Sequence, residues 1–458
     1  MQPTPRRRFL SCQRPQFSYA MDVQHPALFV EMRLGKTLPT IRRSQMYVPL
    51  EGGRLRVLVV APSSALGSWE NQLSTEGRID WVYLIGTKKQ RLTLLAEDHG
   101  WNLLNKEGHL ALPEIADVPW DCVVLDESTF IKNPKAKVTK FFLQNFRKVP
   151  HRWALTGLPN PESDLEFWTQ IAWLDGRAFG CKSFWQFRAR HFEQHWMKSG
   201  WQPKAGTQSF IRKEVGKRAC VLRRKDVGID LPKVYETREF DLPKKLRKAY
   251  DQAEEEFILS YEGKEQSTLS ALAKNTWLWR MCGGIVDEEL VWEDKIREVV
   301  YFAKQELARE QIVVWFVFNL ELKAVYKAVK AEGISCQFMR GSTPIRKRHK
   351  IVADFQEGKI RVLLLQEKIA QTGMDLSASD TNIIYSSPPG LWARRQIEDR
   401  TLNPLKPKSV LFIDLAVKDS VDMDLRKAIL EKDARSDLTL GRAMILGMKE
   451  RQKKRKSG

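Results

Sequence analysis

The sequence has fewer acidic than basic residues and no long apolar run, and both features narrow the class of protein. Lys and Arg number 76 against 56 Asp and Glu, which gives a net charge of +20 over 458 residues. Such an excess is typical of a protein with a polyanionic partner, nucleic acid first and an anionic membrane surface second. The longest near-continuous apolar run, Ile312–Phe318, is far shorter than the ~20 residues that a membrane span needs. Nucleic acid is therefore the expected partner, and no membrane association is expected.

Cysteine is also scarce, with six scattered residues and no CxxC pair. This pattern argues against a zinc ribbon and against a disulfide framework. The first ten residues, MQPTPRRRFL, carry no apolar segment behind the arginines, so no secretory signal is expected. Because 43% of the residues are hydrophobic, the chain can form real cores, and its length allows about two to four domains. A folded, intracellular protein is expected.

Two series of short apolar runs predict two parallel sheets. Runs that are continuous rather than alternating are typical of strands buried on both faces. The first series is Ala27–Val30, Val57–Val60, Val82–Ile85, Cys122–Leu125 and Trp153–Leu155. The second series is Ile312–Val317, Ser335–Met339, Val362–Leu365, Thr381–Tyr385 and Val410–Ile413, with helical stretches at Leu320–Ala331 and Pro344–Gln356. The sequence therefore predicts an α/β fold of two parallel-sheet lobes in tandem.

Between the two series the strand pattern disappears, and helical patterns replace it. Phe184–Ser199 carries aromatic and basic faces, and Lys244–Tyr261 follows the period of an amphipathic helix. We predict lobe 1 over residues 1–175, a helical insertion and linker over 176–292, lobe 2 over 293–440 and a basic tail over 441–458. The tail is either solvated or in non-specific contact with phosphates.

The segment Val30–Thr37, VEMRLGKT, has the chemistry of a phosphate-binding loop. It follows a predicted strand and precedes a predicted helix, where a glycine lets the backbone approach a phosphate. Lys36 would reach the β- and γ-phosphates, and the hydroxyl of Thr37 would ligate Mg²⁺. The full pattern has a glycine five positions before Gly35, where this chain has Val30, so an ordinary glycine turn stays the alternative.

A second segment, Asp121–Ser128 or DCVVLDES, is an apolar strand that ends in adjacent carboxylates. At the carboxyl end of a parallel strand, Asp126 would hold Mg²⁺ and Glu127 would orient or activate the attacking water. In isolation the pair is equally typical of a solvated strand end. With the phosphate loop upstream in the same lobe, the two segments together favour nucleotide hydrolysis.

With Trp153–Pro161, WALTGLPNP, these segments resemble the core of helicase superfamily 2, in its Swi/Snf-like branch. The resemblance covers nearly the whole chain and is greatest to compact phage and bacterial members, because no bromodomain-, chromodomain- or finger-like addition is evident. Further motifs follow in the expected order: FLSCQ (Phe9–Gln13), VVAPSSALGSWENQL (Val59–Leu73), LRRKDVGIDLPK (Leu222–Lys233), Ile312–Asn319, MRGST (Met339–Thr343), TGMDL (Thr372–Leu376) and QIEDR (Gln396–Arg400).

The resemblance implies two RecA-like lobes with ATP in the cleft and a nucleic-acid path across both. It implies a DNA-dependent ATPase, a monomer in the cytoplasm of a bacterial or phage-infected cell, with ATP and Mg²⁺ as cofactors and RNA a less favoured track. The implied catalytic residues are Lys36, Asp126, Glu127 and Arg400. The implied nucleotide ligands are Gln13, Gly35, Lys36, Thr37 and Asp375, and the implied metal ligands are Thr37 and Asp126.

The resemblance also implies a set of DNA contacts: Ser63, Ser64, Trp69, Thr156, Gly341, Ser342, Thr343 and Thr372. Thr156 and Gly157 would couple hydrolysis to motion. Two residues depart from the family pattern. Arg33 replaces a glycine beside the phosphates, and Asn403 stands where a second arginine of the last motif is expected, which leaves Arg400 as the candidate arginine finger.

Three functions fit these features. The leading hypothesis is a motor that couples ATP hydrolysis to movement on duplex or branched DNA. A second is a helicase that separates strands or migrates branches, which the sequence does not distinguish from the first. The third is an ATP-gated DNA clamp with weak hydrolysis, which the missing arginine at Asn403 keeps open.

Overall fold

The computed structural model describes residues 8–63, 65–77, 79–157, 159–160, 163–194, 201–228, 232–262, 276–286, 289–372, 374–388, 391–402, 408–431 and 451–452. The chain divides into two compact units, Met1–Asp230 and Leu231–Gly458. The domain boundaries predicted at residues 175, 292 and 440 stay predictions.

Unit 1 is built on a parallel sheet, which has seven strands among the described residues in the order β3-β4-β2-β5-β6-β1-β9. Alternate residues of each central strand face opposite sides, so that Leu58 and Val60 pack in one apolar core and Val57 and Val59 in the other. Both faces are therefore covered, as the continuous apolar runs predicted. The strands are β1 Ala27–Val30, β2 Val57–Ala61, β3 Trp81–Tyr83, β4 Trp101–Asn105, β5 Cys122–Asp126, β6 His151–Thr156 and β9 Ala219–Leu222, with an antiparallel hairpin of β7 Phe192–Gln194 and β8 Trp201–Pro203.

Helices connect these strands and cover the sheet, because parallel neighbours need a crossover connection. They are α1 Gln13–Asp22, α2 Thr37–Ser44, α3 Leu66–Thr75, α4 Lys88–Ala96, α5 Gly108–Ala111, α6 Lys137–Asn145, α7 Phe167–Leu174, α8 Phe184–His191 and α9 Thr207–Gly216.

Unit 2 repeats the plan, with six parallel strands among the described residues in the order β10-β17-β16-β13-β15-β14. The strands are β10 Lys233–Phe240, β13 Ile312–Phe316, β14 Cys336–Met339, β15 Val362–Gln366, β16 Thr381–Ile384 and β17 Val410–Val417, with a short hairpin of β11 Ile285–Val286 and β12 Glu289–Leu290. The helices are α10 Lys244–Glu262, α11 Asp294–Tyr301, α12 Asn319–Ala331, α13 Ile345–Gln356, α14 Leu391–Thr401 and α15 Val421–Glu431. The predicted fold class, two parallel-sheet lobes in tandem, is confirmed.

The segment 176–292, predicted as a helical insertion and linker, contributes strands as well as helices. It supplies an edge strand to each sheet, since β9 pairs with β1 and β10 pairs with β17. The helix predicted over Phe184–Ser199 ends at His191, where the chain turns into β7, and residues 195–199 lie outside the described part.

The basic tail also differs from its prediction at one residue. Arg451 is not solvated, because its guanidinium lies 2.7 Å from Glu254 and 2.7 Å from Asp424. Glu254 is fully buried in α10 and Asp424 lies in α15. The rest of residues 441–458, apart from Gln452, lies outside the described part of the chain.

Candidate functional site

The phosphate-loop segment joins β1 to α2 in unit 1. β1 ends at Val30, and α2 begins at Thr37 with Lys36 as its N-terminal capping residue. The first N–H groups of a helix have no partner within it and carry a partial positive charge, so this end suits an anion. The ammonium of Lys36 donates to the carbonyl oxygen of Val30 at 2.9 Å, which places the lysine across the mouth of the loop.

The loop is clamped from α1 by two glutamines. Gln13 donates from Nε2 to the carbonyl oxygen of Gly35 at 2.9 Å, and Gln16 donates to that of Leu34 at 2.9 Å. Gly35 has a φ of +71°, and a Cβ on it would lie 2.3 Å from Nε2 of Gln13. Glycine is therefore required for both backbone and space. Gln16 was missed from the sequence because the motif that contains Gln13 ends before it.

The acidic pair lies at the carboxyl end of β5, as predicted. Asp126 is the last residue of the strand, and its Oδ1 accepts from the backbone N–H of Glu127 at 3.0 Å. Glu127 follows in left-handed backbone, with φ 52° and ψ 53°. Non-glycine residues seldom hold this conformation, and strain of this kind is concentrated at functional sites.

Asp126 and Lys36 act on each other across the two segments. Burial raises the pKa of Asp126, and the hydrogen bond from Trp69 and the positive charge of Lys36 both oppose that rise. The phosphate loop and the acidic pair are therefore neighbours in space although 90 residues separate them in sequence. A cation close to a buried carboxylate is the arrangement that holds phosphates and activates water in phosphoryl transfer.

Trp69, predicted to contact DNA, is completely buried in α3. Its indole Nε1 donates to Oδ2 of Asp126 at 2.8 Å. Trp69 therefore orients the carboxylate of Asp126. Because its ring is completely buried, it is not placed to contact a nucleic acid.

Thr156, at the end of β6, is also fully buried. Its hydroxyl donates to Oε2 of Glu127 at 3.2 Å, so it contacts the candidate base directly. The next residue, Gly157, approaches the phosphate-loop segment so closely that a Cβ would lie 3.2 Å from the backbone nitrogen of Met32. Both contacts link the end of β6 to the hydrolytic residues, and the coupling role of this motif stays a prediction.

Helix α7 supports the acidic pair through Ser128, the residue after Glu127, and no sequence motif predicted this support. Ser128 donates to Oε1 of Gln170 at 2.8 Å, and Nε2 of Gln170 donates to the carbonyl oxygen of Glu166 at 3.1 Å. Both side chains are fully buried. Such a partner could be found only from the packing of α7, since glutamine in an apolar helix has no motif of its own.

In unit 2 the predicted DNA-contacting loop follows β14. Gly341 and Ser342 are exposed and Thr343 is half-buried. The loop is fixed by Gln366, which accepts from the N–H of Gly341 at 3.0 Å, and by Arg348, which donates to the carbonyl oxygens of Gly341 and Thr343 at 2.6 and 2.7 Å. The loop therefore offers a rigid backbone to a ligand.

The other predicted contacts are only partly described. Ser63 is half-buried after β2, and Asp375 is exposed, with its Oδ1 accepting from the N–H of Ser377 at 3.1 Å. Ser64 and Asn403 lie outside the described residues, as does the side chain of Thr372.

Arg400, the candidate arginine finger, lies in α14 and is buried. Its guanidinium donates to the carbonyl oxygen and to Oε1 of Gln396 at 3.2 and 2.8 Å. Arg394, another arginine of the same helix, is fully buried and ion-paired with Glu398 at 2.8 Å and with Asp414. Arg394 is thus a structural residue that joins α14 to β17.

No helix of the described residues is long and apolar enough to cross a membrane. Nor do these residues contain a group of three or more His, Cys, Asp or Glu side chains placed to hold a metal ion. The six cysteines are free thiols.

Two family models match this chain. The SNF2-related domain matches residues 19–282, and the helicase conserved C-terminal domain matches residues 294–403. A phosphate loop and an acidic pair in a parallel-sheet unit, followed by a second such unit, define the class as a superfamily 2 ATP hydrolase. The chain belongs to the SNF2-related family, and its two parallel-sheet units are tandem RecA-like lobes. The enzyme class and the motor function predicted from the sequence are confirmed, and the chain uses ATP.

The chain spans nearly the whole length of one relative but less than half of another. The putative protein p41 of Acyrthosiphon pisum secondary endosymbiont phage 1 is 23% identical over 92% of this chain and 96% of that protein. The putative ATP-dependent helicase/translocase YwqA of Bacillus subtilis is 23% identical over 78% of this chain but only 40% of its own length. Among solved structures, the Sulfolobus solfataricus SWI2/SNF2 ATPase core in complex with dsDNA is 19% identical with a TM-score of 0.45, over 95% of each chain.

Proposed function

We propose that the protein is a DNA-dependent ATPase that moves along duplex or branched DNA. The observation that carries the proposal is that the end of β6 contacts both hydrolytic segments: Thr156 donates to Glu127 at 3.2 Å, and Gly157 lies close against Met32 of the phosphate-loop segment. DNA as the track is supported by the net charge of +20, because lysine and arginine contacts to phosphates supply most non-specific affinity. The Bacillus relative, named a putative ATP-dependent helicase/translocase, agrees with an ATP-driven motor.

Four residues of unit 1 would perform the hydrolysis. Lys36 would bind the phosphates, and Thr156 would hold Glu127 by the hydrogen bond at 3.2 Å. Glu127 would accept a proton from the attacking water, since it follows Asp126 at the carboxyl end of β5 and its carboxylate is held there by Thr156. Trp69, bonded to Asp126, would keep that carboxylate oriented, as a positioning residue.

The residues present fit ATP with Mg²⁺. Asp126 and Thr37 offer the oxygen atoms that Mg²⁺ prefers, and this ion commonly takes one or two carboxylates with substrate phosphates rather than a cage of protein ligands. When bound, the ion would offset negative charge on the phosphates. Gly35 and the N-terminus of α2 would hold the phosphate oxygens, whereas the adenine contact of Gln13 and the nucleotide contact of Asp375 stay predictions.

DNA would meet the exposed loop of Gly341, Ser342 and Thr343. Backbone held by Gln366 and Arg348 can contact phosphates without loss of loop entropy on binding. Contacts by Ser63, Ser64 and Thr372 are part of the same proposal. A monomeric state, a cytoplasmic location and a preference for DNA over RNA stay predictions.

The test is ATP hydrolysis by the full chain with single-stranded DNA, blunt duplex, forked DNA, a four-way junction and RNA. We expect hydrolysis to rise steeply with duplex or branched DNA and to fall with added salt, because phosphate contacts release counterions. Equal rates with and without DNA at low salt would refute the translocase. Strand displacement from the fork would favour the helicase alternative, and tight ATP-dependent binding with negligible turnover would favour the clamp.

A further inference from the structure

Two exposed tryptophans of unit 1 lie outside every motif discussed above. Trp185 in α8 and Trp201 in β8 expose 48% and 37% of their surface. Exposed tryptophan is unusual, because burial of its large apolar surface stabilises a fold. No other tryptophan whose side chain the structure describes is equally exposed. Two such rings side by side indicate a binding surface.

A single guanidinium connects the two rings. Cζ of Arg188 lies 4.7 Å from the ring centroid of Trp185 and 3.9 Å from that of Trp201. From the loop before α6, the ammonium of Lys135 lies 5.2 Å from the centroid of Trp185. All three distances between a cation and a ring centroid are in the range of cation–π contacts. We refer to Trp185, Arg188, Trp201 and Lys135 as the Trp–Arg cluster.

The cluster is anchored to the core. The ring of Phe184 lies edge-on to Trp185 at 5.3 Å and to Trp168 at 6.0 Å, and Trp168 is buried in α7. Trp201 is held opposite Gln194 in the hairpin of β7 and β8. Rings fixed in this way lose little freedom when a ligand stacks on them.

The charge of the cluster is positive and uncompensated. Within the described residues, neither Arg188 nor Lys135 forms an ion pair with a carboxylate. Helix α8, FWQFRARH, contains no acidic residue. The nearby Glu193 of β7 accepts from Gln202 at 2.8 Å. Cations beside exposed aromatic rings match a ligand that carries both flat rings and negative charge.

We propose that the Trp–Arg cluster binds unpaired nucleotides of DNA. One or two bases would stack on the exposed faces of Trp185 and Trp201, and phosphates would contact Arg188 and Lys135, as on other single-strand platforms. The uncompensated cations favour this ligand over a peptide, whose binding needs no such charge. The proposal rests on DNA as the track of the motor and adds that a fork or gap is preferred to a blunt duplex.

The test compares the affinities of parent, Trp185→Ala and Trp201→Ala chains for a fork and for a blunt duplex without nucleotide. Because stacking of one base contributes about five- to hundredfold in affinity, we expect each variant to bind the fork about tenfold more weakly. Affinity for the blunt duplex and duplex-stimulated hydrolysis should stay unchanged. A 2-aminopurine base in the single-stranded arm should be quenched by the parent and much less by Trp185→Ala.

Tyr301→Ala, at a side chain 49% exposed in unit 2, serves as the matched control and should bind the fork as the parent does. Arg188→Gln, which keeps both rings, should reduce fork affinity and lower its dependence on salt. Fork affinity unchanged in both tryptophan variants would overturn the proposal and leave a peptide surface. So would an equal loss on blunt duplex, or tighter binding of a fork with an RNA arm. If DNA did not change the rate of ATP hydrolysis by the parent, the motor function would be refuted, whatever the DNA affinities of the variants.

Discussion

Both the backbone conformation of Glu127 and a hydrogen bond to its side chain fix its position. Its φ of 52° is left-handed, and Thr156 donates to its carboxylate. Glu127→Gln keeps the shape and that hydrogen bond but removes the proton acceptor, so we expect turnover to fall ~10²–10⁴-fold. ATP and DNA affinities should change little, because the carboxylate acts on water and not on the bound ground state. Steady-state hydrolysis and equilibrium binding measure the two effects.

The matched control is Glu255→Gln, at an exposed carboxylate of α10, which should hydrolyse ATP as the parent does. Normal turnover in Glu127→Gln would show that the hydrolytic site lies elsewhere in the chain.

Arg33 shows why the related pattern has glycine at this position. Its φ is 69°, a conformation that costs an L-residue about 1–2 kcal/mol. Both Arg33→Gly and Arg33→Ala remove the side chain, but only glycine removes the strain. Part of that gain is offset by the flexibility of glycine in the unfolded chain. We expect Arg33→Gly to exceed Arg33→Ala in free energy of unfolding by about 1 kcal/mol, measured by urea denaturation. Equal stabilities would mean that the left-handed backbone is not strained here.

At the scale of elements, burial on both faces decided which strands could be predicted. The runs of β2, β5, β13 and β15 are fully buried and therefore appear as continuous apolar letters. The edge strand β10, KVYETREF, is largely exposed, so its letters resemble a linker. Its place in the sheet depends on β17, which lies far along the chain.

The residues of the candidate site also fall into two groups, those that the sequence predicted and those that only the structure identified. The phosphate loop and the acidic pair are local patterns, and their place at strand ends followed from the sequence. The supports Gln16, Trp69 and Gln170 come from α1, α3 and α7. Their roles depend on which helix face meets the loop, and this is set by tertiary packing.

Glu321 lies in the first turn of α12 and is fully buried, so its carboxyl group makes the stability of the fold depend on pH. Burial raises the pKa of Glu321 from 4.5 to about 7, against the opposing effects of a hydrogen bond from Ser386 and the charge of Lys295. Below the unfolded value the carboxyl is protonated in both states. As pH rises towards 7 the unfolded state releases its proton first, so stability falls by up to ~1.4 kcal/mol per pH unit.

We therefore expect Glu321→Gln to lack this part of the fall in stability between about pH 4.5 and 7, and to be more stable than the parent at pH 8. Urea denaturation at a series of pH values measures it. Glu332→Gln, at an exposed partner of Lys304, should keep the parent's pH dependence. A parallel fall in Glu321→Gln and the parent would contradict the assignment.

Arg451 joins the end of the chain to α10 and α15. Arg451→Ala would leave Glu254, which is fully buried, and Asp424 without the guanidinium between them. Loss of one partner from a buried ion pair costs about 3–5 kcal/mol, so the thermal midpoint of unit 2 should fall markedly. Lys453→Ala, in the same basic run, is the control and should leave it unchanged. Adding Glu254→Gln to Arg451→Ala should restore part of the lost thermal midpoint. An unaltered midpoint in Arg451→Ala would mean that Arg451 does not bind Glu254 and Asp424.

The arginine-finger role predicted for Arg400 belongs to the scale of the whole molecule, because Lys36 lies in unit 1 and Arg400 in unit 2. An arginine that meets the transferred phosphoryl group can contribute ~10³–10⁵ in rate, yet Arg400 is bonded to Gln396 at 2.8 Å. We expect Arg400→Ala to reduce DNA-stimulated turnover more than ~10-fold, with nucleotide affinity changed much less. Gln396→Ala, which removes the partner and keeps the arginine, should retain turnover. Hydrolysis by Arg400→Ala at the parent's rate would show that another residue supplies the charge or that the reaction proceeds without it.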